Sequence, residues 1–220
     1  MPYKLGLLDL NGTLVDDVPL MLASSHHLFH RFAPSVPLPP LDDFRSGCAV
    51  FGEIEWLYRR GIPRTISGEK LNDEWNRYYR SHNDSVRLSN GAFQFLSFMR
   101  DCGIRLIIVS AAHRSMKHLV ERLGIAGHFD RMCFDAFDKE TVIRHLLATD
   151  AYGGIHPRDV FFIGDTAGDV DHGNRAGVAT FAYPHGLHPL PALANARPKR
   201  IVHSFRGALN EVRAQIPEYA

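Results

Sequence analysis

The chain has 220 residues, 45% of them apolar and 22% charged, with a formal net charge of +1. These values are ordinary for a folded globular protein and exclude extended disorder. The balanced charge argues against nucleic acid or an anionic membrane as partner.

Tyr3 to Leu10 opens the chain as an apolar run, which predicts a buried strand. Val18, Leu22, Ser25, Phe29 and Phe32 then recur at steps of four and three, one face of a helix starting near Asp16. Pro34, Pro37, Pro39 and Pro40 make a loop. Val50, Phe51, Ile54, Leu57 and Tyr58 predict a second helix, closed by Gly61 and Pro63. Leu71, Trp75, Tyr78 and Tyr79 predict a third, its aromatic residues expected in the core of this segment or at its contact with the rest.

From Ser89 the rhythm changes. Ser89 or Asn90 is suited to cap a helix carrying Phe93, Leu96 and Met99, and Gly103 ends it. Ile104 to Val109 reads as a buried parallel strand. Met116, Leu119, Val120 and Leu123 form the next helix face. Arg131 to Phe134 is a short strand, and Val142, Ile143, Leu146 and Leu147 another helix face. Val160 to Ile163 is a strand, 167–176 a helix, Val178 to Ala182 a strand, and Ile201-Val202 a last short one. Gly207 to Ile216 closes the chain as a helix. Strands alternating with helices predict an α/β fold: a Rossmann-like parallel sheet core built from residues 1–16 and 87–220. Residues 17–86, helical throughout, are expected to form a separate all-helical domain inserted after the first strand.

Cys48, Cys102 and Cys133 are far apart and show no zinc spacing, so they are expected to be reduced thiols of a cytoplasmic protein. No secretory leader is visible, and no apolar run approaches the ~20 residues of a membrane span.

Polar groups gather at the predicted strand ends. Asp9-Leu10-Asn11-Gly12-Thr13 follows strand one, Ser110 follows Ile104–Val109, and Gly164-Asp165 with Asp169 follows Val160–Ile163. Parallel strands direct their C-termini to one edge, where ligands bind in open sheets. A carboxylate such as Asp9 can attack phosphorus and form an acyl phosphate. Asp165 can join it in holding Mg²⁺, which favours one or two carboxylates with substrate phosphate. Asp165 is equally suited to capping the helix that follows it. Ser110 can bind phosphate oxygens or cap a helix, and Lys139 can neutralise a transferring phosphoryl group or lie in solvent. Arg45 is a candidate for a substrate anion, and His113 for a proton.

Together these residues resemble the haloacid dehalogenase superfamily, and most closely its phosphoglycolate phosphatase-like branch with a helical cap after strand one. Asp9 to Asp16 is similar to the first motif and flap, Ile107 to Ser110 to the second, Lys139 after Asp138 to the third, and Gly164 to Asp169 to the fourth. The resemblance implies a Mg²⁺-dependent phosphatase acting on a small phosphorylated metabolite. It implies that Asp9 becomes the aspartyl-phosphate. Asp9, Asp165 and the backbone carbonyl of Asn11 would bind the metal, with Asp169 orienting Lys139 or a metal-bound water. Thr13, Ser110, Ala111 and Lys139 would contact the substrate. The family places an acid/base Asp where this chain has Asn11, and the loss of such a group costs ~10²–10⁴-fold. A catalytically impaired phosphate-binding protein, a phosphonatase and a dehalogenase are the alternatives.

Overall fold

The computed structural model describes residues 3–149, 152 and 154–215. Among these the chain runs β1 (Leu5–Leu8), β2 (Val15–Asp16), α1 (Val18–Phe32), α2 (Leu41–Phe51), α3 (Glu53–Arg59) and α4 (Gly68–His82). It continues through β3 (Arg87–Leu88), α5 (Ala92–Asp101), β4 (Arg105–Val109), α6 (Lys117–Arg122), β5 (Arg131–Cys133) and α7 (Lys139–Ala148). The last elements are β6 (Val160–Gly164), α8 (Ala167–Ala176), β7 (Ala179–Ala182), α9 (Leu190–Asn195), β8 (Arg200–Ile201) and α10 (Phe205–Arg213).

Six strands pair in the order β5-β4-β1-β6-β7-β8, each pairing parallel. Strands buried on both faces explain the unbroken apolar runs. Alternate residues serve opposite layers. Leu8, Ile108 and Ile163 pack with Phe95, Leu96, Leu119 and Phe205 from α5, α6 and α10. Leu7, Ile107 and Phe162 pack with Ile143, Leu146 and Ala176 from α7 and α8. The order of connection reverses at β1, which lies between β4 and β6, so the crevice at its C-terminal end is where such a sheet binds ligands.

The chain leaves this sheet along β2 and returns along β3, which pair antiparallel as Val15↔Leu88 and Asp16↔Arg87. Between them α1 to α4 have an apolar cluster of their own, with Leu28, Phe29, Phe44, Leu57 and Leu71 around Trp56. Phe29 and Phe44 meet the Trp56 ring edge-on at 5.9 and 5.2 Å. No helix among the described residues is long and apolar enough to cross a membrane.

Several elements differ from the sequence reading. Strand one stops at Leu8, because the residues from Asp9 form a turn. The predicted second helix is two, α2 and α3, broken at Gly52 with φ 74°. The residue before α5 is Gly91 in the left-handed region, and the Ser89 hydroxyl instead donates to Thr13 O at 2.6 Å. Phe93 is therefore exposed, while Phe95 faces the core. The β2/β3 ribbon and α9 are too short to leave a periodic signal. Ile216, expected at the end of the last helix, lies outside the described residues.

Candidate active site

The turn after β1 is set by Gly12, whose φ of +67° favours glycine and whose missing Cβ leaves room for the Asp165 carboxylate. Gly186 approaches Asp165 as closely. Asp9 stands at the start of that turn, its N–H still donating to Ile163 O of β6 at 2.9 Å. Ser110 extends β4 in the same manner, with its N–H on Cys133 O. Asp165 follows β6, Lys139 opens α7, and Asp169 lies in the first turn of α8, where it forms a capping box with Thr166.

These groups converge. Lys139 Nζ lies 3.0 Å from Asp9 Oδ1 and 2.5 Å from Asp169 Oδ1, with all three side chains buried. One oxygen each of Asp9, Asp165 and Asp169 falls within 4.8 Å of the others. Thr13 Oγ1 donates to Asp165 Oδ1 at 2.8 Å, and the Leu187 N–H donates to Asp165 Oδ2 at 2.5 Å. The centre floors a cavity of about 470 Å³ whose opposite wall comes from α1, α3 and α4.

Three buried carboxylates face one lysine, and burial together with their mutual charges sets their protonation. Burial raises the pKa of Asp9 against the pull of Lys139. Burial, with Asp9 and Asp169 adding repulsion, raises that of Asp165 well above the ordinary carboxylate value. For Asp169 burial is outweighed by the charge and hydrogen bond of Lys139, and its pKa falls. Burial likewise works against the Lys139 charge, but Asp169 and Asp9 together hold the ammonium form. A buried, all-oxygen set with excess negative charge suits a hard divalent cation, which would relieve the repulsion that adds to burial at Asp165.

Asn11 lines the cavity, and its side-chain amide is engaged. Its Nδ2 donates to Asp17 Oδ2 and lies 3.1 Å from Tyr79 OH on α4. Tyr79 OH donates to Asp17 Oδ2 at 2.5 Å, and the Gly12 N–H to Asp17 Oδ1 at 2.7 Å. Burial lifts the Asp17 carboxyl to about 6, against these three donors.

Of the residues read from sequence, Asp9, Asn11, Ser110, Ala111, Lys139, Asp165 and Asp169 all line this cavity, as does His113. Two are placed elsewhere. Thr13, expected at the substrate, is fully buried behind Asp165, because the Gly12 turn directs its hydroxyl to that carboxylate. Arg45, expected at a substrate anion, donates to Gly186 O and Pro184 O, and so joins α2 to the loop after β7. The sequence reading missed Asp17, Glu53 and the Leu187 N–H. Asp17 adjoins the first motif, but its partner Tyr79 is 62 residues distant and no spacing rule links them.

The fold and the site define an α/β enzyme with a carboxylate–lysine centre at a topological switch point. The chain belongs to the haloacid dehalogenase-like hydrolases, whose family profile matches residues 7–183. It is 29% identical over 189 residues to a phosphoglycolate phosphatase of Chromobacterium violaceum, covering 81% of this chain and 83% of that protein. It is 27% identical over 201 residues to an N-acetylmuramic acid 6-phosphate phosphatase of Pseudomonas aeruginosa, covering 86% and 85%. A haloacid dehalogenase-like hydrolase from Streptococcus pneumoniae superposes with a TM-score of 0.80 at 21% identity, over 95% of this chain and 98% of that one.

Proposed function

We propose that this protein is a Mg²⁺-dependent phosphatase of a small phosphorylated metabolite, with Asp9 as nucleophile. The observation that carries this reading is the Asp9–Lys139–Asp169 bridge with Asp165 beside it, at the floor of one cavity. Asp9, Asp165 and the backbone carbonyl of Asn11 would hold the Mg²⁺. When bound, the ion neutralises charge on the phosphoryl oxygens. Residues 17–86 act as a cap that covers the reacting group.

A carboxylate oxygen of Asp9 attacks phosphorus while the ester P–O bond breaks, and the leaving oxygen departs with that electron pair. Lys139 and Ser110 stabilise the phosphoryl oxygens. Water then attacks the aspartyl-phosphate and gives up a proton to solvent, the bond between phosphorus and the Asp9 oxygen breaks to return the Asp9 carboxylate, and inorganic phosphate forms. Asp169 keeps Lys139 charged and in place. Asn11 carries no titratable proton, so it cannot protonate the leaving oxygen as an Asp would. Acyl phosphates, whose leaving groups need no proton, are therefore the substrates turned over best relative to the chemical ease of the unhelped reaction.

The experiment is phosphate release from acetyl phosphate and a panel of phosphomonoesters, with and without Mg²⁺. Activity should require the metal and vanish in Asp9→Asn. Mass spectrometry of a quenched reaction should find the phosphoryl group on the peptide containing Asp9. Absence of metal-dependent release from every compound refutes the proposal. The engaged Asn11 amide favours a second reading, a phosphate-binding protein of low turnover. Tight phosphate binding without turnover would select it. The relatives are named for different phosphorylated compounds, so the leaving group has to be read from this chain's own pocket.

A further inference from the structure

The wall opposite the carboxylates decides what else a substrate must carry. Glu53 opens α3 and lines the cavity. Its Oε1 shares the proton of Ser25 Oγ of α1 with Met21 O, each at 3.2 Å, and Trp75 Nε1 of α4 donates to that same hydroxyl at 3.2 Å. The carboxyl is thus braced from two helices. Among the described residues Glu53 forms no ion pair, and burial pushes its carboxyl up to about 7. Beside it the Trp75 and Tyr79 rings stack at 5.2 Å with planes 12° apart. Asn72 and Asn76, one helical turn apart, add amide groups, with Asn76 Nδ2 3.1 Å from Asn72 Oδ1. Of the cavity-lining residues described, Arg80 is the one guanidinium, and it is exposed in the last turn of α4.

Resting on the phosphatase reading above, we infer that the pocket selects an uncharged, polyhydroxylated leaving group, a sugar or polyol phosphate, over a phosphorylated carboxylic acid, with Glu53 as the selecting residue. A braced carboxyl accepts hydrogen bonds from hydroxyl groups when ionised and can donate one as well when protonated, so it pairs with hydroxyls in both forms. It gives a substrate carboxylate no counter-charge in either protonation state. The Trp75 face offers flat apolar area to the C–H face of a sugar, while the Asn72 and Asn76 amides can donate and accept. A two-carbon acid would leave most of the 470 Å³ unfilled, whereas pockets of ~300–1,000 Å³ hold larger ligands.

The test compares kcat/KM for a hexose 6-phosphate, glycerol phosphate and phosphoglycolate, with acetyl phosphate as a reference too small to reach the wall. The hexose or glycerol ester should exceed phosphoglycolate by about tenfold or more. Glu53→Ala should lower the ratio of the preferred ester to acetyl phosphate by about tenfold. Glu53→Gln, which keeps the side-chain shape, should lower it less and serves if the alanine variant fails to fold. A native preference for phosphoglycolate, or a ratio unmoved by both variants, overturns the inference. If none of these compounds is hydrolysed in the presence of Mg²⁺, the phosphatase reading has failed. Calorimetric binding of the same three esters to the Mg²⁺-loaded Asp9→Asn protein then still decides the preference, tighter phosphoglycolate binding counting against it.

Discussion

The Asn11 amide and the Asp17 carboxylate form one hydrogen-bonded unit closed by Tyr79 and the Gly12 N–H. Asn11→Asp would restore a titratable group at the cavity but set it against a second buried carboxylate. The variant should gain ~10²–10⁴-fold in kcat on alkyl phosphates in the presence of Mg²⁺. It should also lose about 2 kcal/mol of stability in urea unfolding at pH 8. Exchanging the pair, Asn11→Asp with Asp17→Asn, should recover most of that loss. Asp17 also has a pH signature. Its folded pKa, about 6, stands above the ordinary 3.8, so the folded chain holds a proton there that the unfolded chain gives up. Its contribution is present in full below pH ~4 and is lost as pH rises through ~6, by the order of 3 kcal/mol. Asp17→Asn should flatten that part of the stability profile, measured by denaturant unfolding from pH 4 to 8.

Among the elements, the loop between β7 and α9 links the centre to the insert. Its Leu187 N–H holds Asp165 Oδ2, the His188 N–H donates to Asp165 O, and its Gly186 carbonyl takes the Arg45 guanidinium of α2. One short segment thus touches a carboxylate of the candidate metal set and the helical insert together. Arg45→Ala should loosen the insert with the carboxylates left in place. The expected result is a KM raised about tenfold on monoesters that reach the wall, with a smaller change in kcat. An unchanged KM would show that Arg45 does not hold the insert closed. The short α3 has a comparable role, since the break at Gly52 sets Glu53 at the cavity rather than continuing α2.

For the whole molecule, the excess negative charge at the sheet edge is a folding cost that a cation removes. Mg²⁺ at a hundred times its dissociation constant should stabilise the fold by about 2.7 kcal/mol. For a chain of this size that raises Tm by roughly 5–10 °C. Scanning calorimetry across a Mg²⁺ series checks it. Asp165→Asn should abolish the shift, and should itself raise the metal-free Tm because it removes a carboxyl whose ionisation burial, Asp9 and Asp169 all oppose.

The sequence by itself determined the alternation of strands and helices, the helical character of the inserted stretch, and the carboxylates and lysine that meet at the strand ends. These are local facts: an apolar run such as Ile107-Ile108-Val109 has the same reading wherever it sits, and parallel strands bring their ends together by topology. Only the tertiary structure decided the rest. It placed Asp17 and Tyr79 on Asn11, turned Thr13 behind Asp165, took Arg45 out of the pocket and faced Glu53 into it. Each of these depends on side chains brought together from separate elements across turns of left-handed or irregular backbone. The distance between such groups is set by packing, which no spacing along the chain records.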